Sequence, residues 1–151
     1  FNGVLCNDTT GRCGAASARS TGIADSVVVI FSGSQPNITS PAGTAIAEPF
    51  VVGGTNSSRP LTFWIRDVNG NPMPAGTTVR LEANGSGLGV ASPSTLTIPC
   101  TDIDINAQVA GATIFQFAVT TGSTVGAGTL TLTVTTPRGL STVRQYQASV
   151  L

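Results

Sequence analysis

The sequence predicts an all-β protein built from two facing antiparallel sheets. Three observations carry that expectation. Apolar and polar residues alternate with period two through most of the chain, and no long segment shows the 3.6-residue period of a helix. The apolar runs recur at steps of roughly 12–18 residues, separated by Gly, Pro, Asn and Ser. Val and Thr fill those runs, and β-branched side chains pack well on a pleated surface. Alternation with one polar face implies sheets that are wet on one side only. Two such sheets, apolar face to apolar face, make a sandwich. With no helices to cover a parallel sheet, a βαβ fold is excluded. A closed barrel is the alternative.

The elements follow in order. Residues 1–24 are small and polar and read as an irregular, cysteine-containing N-terminal extension; residues 25–151 read as the sandwich domain. "SVVVIFS" (26–32) is a short apolar run consistent with a buried strand. "TAIAEPFVV" (44–52) contains Pro49, which marks an edge or bent strand because proline cannot donate to a ladder. "LTFWIRDV" (61–68) sets Leu61, Phe63 and Ile65 against Thr62, Trp64 and Arg66. "TTVRLEA" (77–83) sets Val79 and Leu81 against Arg80 and Glu82. "STLTIP" (94–99) groups Leu96 with Ile98, and "TIFQFAV" (113–119) groups Phe115, Phe117 and Val119. "TLTLTVT" (129–135) opposes Leu130, Leu132 and Val134 to four threonines. "STVRQYQASVL" (141–151) closes the chain.

Composition removes several functional classes. Formal net charge is zero, and all seven basic residues are Arg, so no basic run exists to neutralise phosphates. Nucleic acid is therefore not an expected partner, and neither is an anionic lipid surface. The longest apolar run, Val27 to Phe31, is too short to span a bilayer as a helix. Hydrophobic residues make up 40% of the chain, which argues against intrinsic disorder. An exterior of Thr, Ser and Asn rather than Lys and Glu suits an extracellular or cell-surface location. Phe1 in place of an initiator Met reads as a processed product or an excised fragment. "GVLC" faintly resembles a lipidation motif, but Leu5 is too large for the residue before the cysteine.

The three cysteines are Cys6, Cys13 and Cys100. Cys6 and Cys13 bracket the polar loop "CNDTTGRC", whose Gly11 can turn the chain, so a local disulfide is expected there. Cys100 is then a buried free thiol. The other arrangement pairs Cys100 with one of the first two. Without His, these cysteines make a poor zinc site.

"RDVNGNPMPAG" (66–76) poses the main site question. Asp67-x-Asn69-x-Asn71 places oxygen-bearing side chains at alternate positions, as calcium loops do. Asp102 and Asp104 share a face if extended and could join Asp67. Calcium needs six to eight oxygens, and this stretch supplies three side chains. Asn69 and Gly70 tolerate positive φ, as a hairpin turn demands, and Pro72 and Pro74 stiffen the exit. The turn reading accounts for every residue, so no metal or other cofactor is expected.

Catalytic chemistry has little to stand on. A Ser-His-Asp or Cys-His arrangement needs an imidazole, and a Ser-Lys dyad needs a lysine; the chain has neither. Seven carboxylates offer no evident facing pair of the kind glycosidases use. No catalytic residue is assigned and no enzymatic activity is expected. The Gly-rich stretches "VVGGTNSSRP" and "NGSGLG" lack the helix and Lys of a phosphate loop. Trp64, Tyr146 and Phe63 could form a sugar-stacking platform, but a buried core Trp with a rim Tyr is the simpler expectation. Sequons stand at Asn7, Asn37, Asn56 and Asn84, all in expected loops.

The run "FWIRDVNGNPMPAGTTVRLEANGSGLGVASPST" resembles the bacterial immunoglobulin-like domains of the invasin and intimin type. Asp67, Gly70, Asn71, Pro72, Met73 and Pro74 occupy the Asp-x-x-Gly-Asn-Pro-Val-Pro turn of that family. "AGATIFQFAVTTGSTVGAGTLTLTV" resembles its later strands. The likeness covers roughly residues 45–136; "PCTDIDINAQVAGA" and the first 24 residues depart from it. It implies an immunoglobulin-like sandwich serving as a spacer or adhesive stalk module of a surface or secreted protein. Its partners would be neighbouring domains, copies of itself, or a host or cell-surface protein or glycan. A second expectation is a self-assembling filament or coat subunit joined by strand addition; a third, weaker one is a carbohydrate-binding module.

Overall fold

The computed structural model describes residues 32–85, 87–100 and 108–151. Cys6, Cys13, the expected extension, most of the expected strand at 26–32, Asp102 and Asp104 lie outside them. The described residues are all-β: nine strands, β1 (Pro36–Thr39), β2 (Phe50–Gly53), β3 (Ser58–Asp67), β4 (Thr78–Asn84), β5 (Leu88–Val90), β6 (Thr95–Thr97), β7 (Ile114–Thr121), β8 (Gly126–Thr135) and β9 (Ser141–Val150). One sheet has the order β1-β3-β7-β5 and the other β2-β9-β8-β4-β6.

Alternation decides which side chains face inward. Along β3, Leu61, Phe63, Ile65 and Asp67 are buried while Thr62, Trp64 and Arg66 look outward. Along β8, Leu130, Leu132 and Val134 are buried, and Thr129, Thr131, Thr133 and Thr135 form the outer rank. Phe63, Phe115 and Phe117 from the first sheet meet Leu81, Leu130 and Leu132 from the second, all at most 1% exposed. Phe63 packs edge-on against Phe117, ring centroids 6.2 Å apart. Each such side chain contributes about 1.5–3 kcal/mol on burial, so this layer holds the two sheets together.

Three expectations need correction. Tyr146 is the buried aromatic: it sits 5.7 Å from Phe63, on the same β9 face as Ala148 and Val150. Trp64 is outside the core, because it shares parity with Thr62 and Arg66; the Arg66 guanidinium lies 3.5 Å from its ring centroid. Cys100 is exposed, not buried. It has the parity of buried Ile98, but β6 has ended at Thr97 and no sheet covers it.

The sheets are also not wholly antiparallel. β2 pairs with β9 in parallel, Phe50 opposite Ala148 and Val51 opposite Ser149. Pro49, which has no N–H, immediately precedes this strand and limits it to an edge of four residues. β3 and β4 belong to different sheets, so the turn after Asp67 is an arch between sheets and not a hairpin. Met73, 2% exposed, fills the core beneath that arch.

β1 and β5 are strands that periodicity did not expose, having four and three residues. Leu88 of β5 and the end of β4 crowd the start of β8, where only glycine fits: a Cβ on Gly128 would meet the Leu88 side chain and lie 2.6 Å from the Asn84 carbonyl oxygen. Strands β3, β8 and β9 are ten residues each, so the sandwich is about 30 Å long. One pole carries Gly33, Asp67, Thr78 and the β8–β9 turn. The other carries Gly53, Ser58, Gly122 and Leu151.

Candidate functional site

The Asp67 turn is the most chemically organised place among the described residues. β3 delivers Asp67 to the pole in an inward-facing position, where its side chain is 0% exposed. A buried carboxylate must be met by donors or lose its charge. Here the chain supplies them locally. Oδ1 accepts the backbone N–H groups of Asn69 (2.9 Å) and Asn71 (2.7 Å). Oδ2 accepts the Gly33 N–H (2.6 Å) and the Asn71 Nδ2 amide (3.3 Å). The backbone adds Asp67 N–H to Asn71 O at 2.7 Å and Gly70 N–H to Asp67 O at 3.0 Å. Gly70 sits at φ 88°, the left-handed position this three-residue turn requires.

Burial by itself pushes the Asp67 carboxyl up. The N–H donors of Gly33, Asn71 and Asn69, together with the Asn71 side-chain amide, outweigh that and hold it below the ordinary aspartate range. The arrangement is a nest of donors around an anion. A calcium ion needs the reverse, oxygens converging on a point. Both Asp67 oxygens already face N–H groups. Among the described residues no group of three or more His, Cys, Asp or Glu side chains could hold a metal ion.

The other described acids also have partners. Glu48 Oε2 accepts the Gln147 N–H at 2.8 Å. Glu82 pairs with Arg80 at 2.8 Å on the exposed face of β4. The three carboxylates serve three separate structural contacts. The imagined sugar platform does not assemble: Phe63 and Tyr146 are in the core, while Trp64 is on the outside of the first sheet under Arg66. Of the described sequon residues, Asn56 lies in a loop, but Asn37 lies on β1 and Asn84 ends β4; all three are exposed.

Two residues of this machinery carried no sequence signal. Gly33 donates to Asp67 across 34 positions, and Glu48 accepts from Gln147 across 99, so neither shows in local spacing. Beside the Asp67 turn is a cleft of about 360 Å³ lined by Ser32, Ser34, Pro74, Thr136, Pro137 and Arg138. No protein-family model matches this chain, and no curated protein matches it either.

Proposed function

We propose that this chain is a non-enzymatic structural module, a spacer or adhesive stalk domain of a bacterial surface or secreted protein, working outside the cell. The observation that carries this reading is that the described strands begin and end at opposite poles. Gly33, just before β1, lies on the Asp67 pole, and β9 ends at Val150 on the other. Modules with that geometry extend a rod by about 30 Å each when strung in series. The strand order supports an immunoglobulin-like type. With β1, β3, β7 and β5 as A, B, E and D, and β9, β8 and β4 as G, F and C, it gives the ABED and GFC sheets of that fold. Here β6, beside β4, follows the D-like strand instead of preceding it.

The load path fits the role. Tension at residue 33 loads β1 along its axis against β3, and tension at residue 151 loads β9 along its axis against β8 and β2. Strand pairs loaded lengthwise resist by shearing their hydrogen bonds together. The direct test is to pull the chain between residue 33 and residue 151 in a single-molecule instrument. The expected result is one abrupt unfolding step that releases roughly 400 Å of chain. Gradual extension without a step would overturn the reading. A second reading, a subunit assembled by strand addition, draws support from the outer edge of β9, where Ser141–Gln145 have no strand partner among the described residues.

A further inference from the structure

β9 is ten residues long, but β2 covers only Ala148, Ser149 and Val150 of its outer side. Two bonds fix which amides point that way: Gln147 N–H donates to Glu48 Oε2, and Leu151 N–H donates to Gly53 O. Odd-numbered residues of β9 therefore direct their backbone groups away from β8. The Glu48 carboxylate occupies position 147 and blocks the edge there. The turn at Leu140 ends it on the other side. Between them lies a stretch with no strand partner on that side among the described residues, Ser141–Gln145, with Ser141, Val143 and Gln145 presenting N–H and C=O outward.

Edges of this kind are templates for another strand, and proteins usually blunt them with Pro, Lys or brevity. The remaining outer strands of this chain follow that rule, at three or four residues each. The part of β3 that β1 leaves uncovered contains Pro60, and the uncovered part of β7, Ile114–Phe117, is four residues long. The β9 stretch contains neither Pro nor Lys, and its central Val143 is 53% exposed beside Leu140 at 56%.

We infer that Ser141–Gln145 is a self-pairing edge, and that its partner is the same stretch of a second copy, antiparallel about a two-fold axis at Val143. The five-residue stretch is self-complementary in that register. Val143 faces Val143, so two exposed apolar side chains cover each other. Ser141 faces Gln145 and Gln145 faces Ser141. Arg144, the one charge in the stretch, faces Thr142 and not its own copy, so no like charges are opposed. Facing odd-numbered pairs exchange both backbone bonds, about six in all. The two five-stranded sheets become one continuous sheet. The interface is small, which places the dimer at the weak, reversible end of association. This inference concerns the edge alone and stands apart from the stalk reading, which pulling on single molecules tests separately.

The experiment combines sedimentation with cysteine cross-linking. The unmodified chain should pass from monomer to dimer, and no further, as concentration rises. Val143→Lys sets two like charges on the axis and should weaken association about tenfold or more, with the melting temperature unchanged. In the two-fold register the Cα atoms at position 143 are about 5.5 Å apart, within disulfide reach. Val143→Cys should therefore cross-link to itself under mild oxidation faster than the unmodified chain, whose Cys100 is exposed. Thr142→Cys, which faces Arg144, should not exceed that background. A chain that stays monomeric at high concentration, dimerisation indifferent to Val143→Lys, or Thr142→Cys linking as fast as Val143→Cys would each overturn the inference.

Discussion

The Asp67 turn and the Val143 edge lie at the same pole of the sandwich and treat backbone donors in opposite ways. At Asp67 three amides from two distant segments converge on one buried carboxylate. At Val143 and Gln145 the outward amides have no such partner among the described residues. The difference teaches where stability and interaction are separated. A buried N–H must be satisfied within the chain because losing its partner costs about 1–3 kcal/mol. An N–H on an exposed edge is satisfied by water and can be exchanged for another strand at little cost.

The comparison breaks most readily at Asp67. Asp67→Ala removes the acceptor from Gly33, Asn69 and Asn71 and should lower unfolding free energy by roughly 4 kcal/mol. Asp67→Asn keeps one acceptor oxygen but turns a donor toward other donors, and should cost about half as much; urea unfolding measures both. Acid probes the same contact without mutation. The folded-state carboxyl is held below the ordinary aspartate value of about 3.9, so its stabilisation is complete above that pH. It is lost as pH falls through the depressed folded value, and Asp67→Asn should flatten that part of the pH–stability curve.

Smaller effects sharpen the contrast. The Trp64 indole Nε1 is buried without a hydrogen-bond partner among the described residues, so Trp64→Phe gives up no such bond there. It should cost at most about 1 kcal/mol, mainly through the weakened Arg66 stacking. Val143→Lys should change monomer stability by less than about 0.5 kcal/mol, since the side chain is exposed. Calcium or a chelator should leave the melting temperature unmoved. A rise of several degrees with calcium would mean that oxygens, not N–H groups, surround Asp67.

Much of the fold was legible because burial follows period two. Phe63, Ile65, Leu81, Leu130 and Leu132 all lie on the faces their alternation assigns. The same rule placed Trp64 beside Thr62 and Arg66; the expectation of a core Trp set that parity aside for a general preference of large aromatics. Tyr146 shows the converse, since its parity with Ala148 and Val150 outweighs its hydroxyl. The turn chemistry of Asp67, Gly70 and Asn71 was readable, but not that the turn bridges two sheets. That depends on which strands β3 and β4 join, β7 and β8, a long-range choice that local spacing does not encode. Gly33 and Glu48 were illegible for the same reason. The open edge at Ser141–Gln145 is a property of where β2 stops, and only the register of β2 on β9 reveals it.

Amide hydrogen exchange, followed residue by residue at low and high protein concentration, tests the account most directly. The account predicts slow exchange at Gly33, Asn69 and Asn71 at both concentrations. It predicts fast exchange at Val143 and Gln145 in dilute solution, slowing as concentration rises. Protection of Val143 and Gln145 in dilute monomer, or free exchange at Asn71, would contradict it.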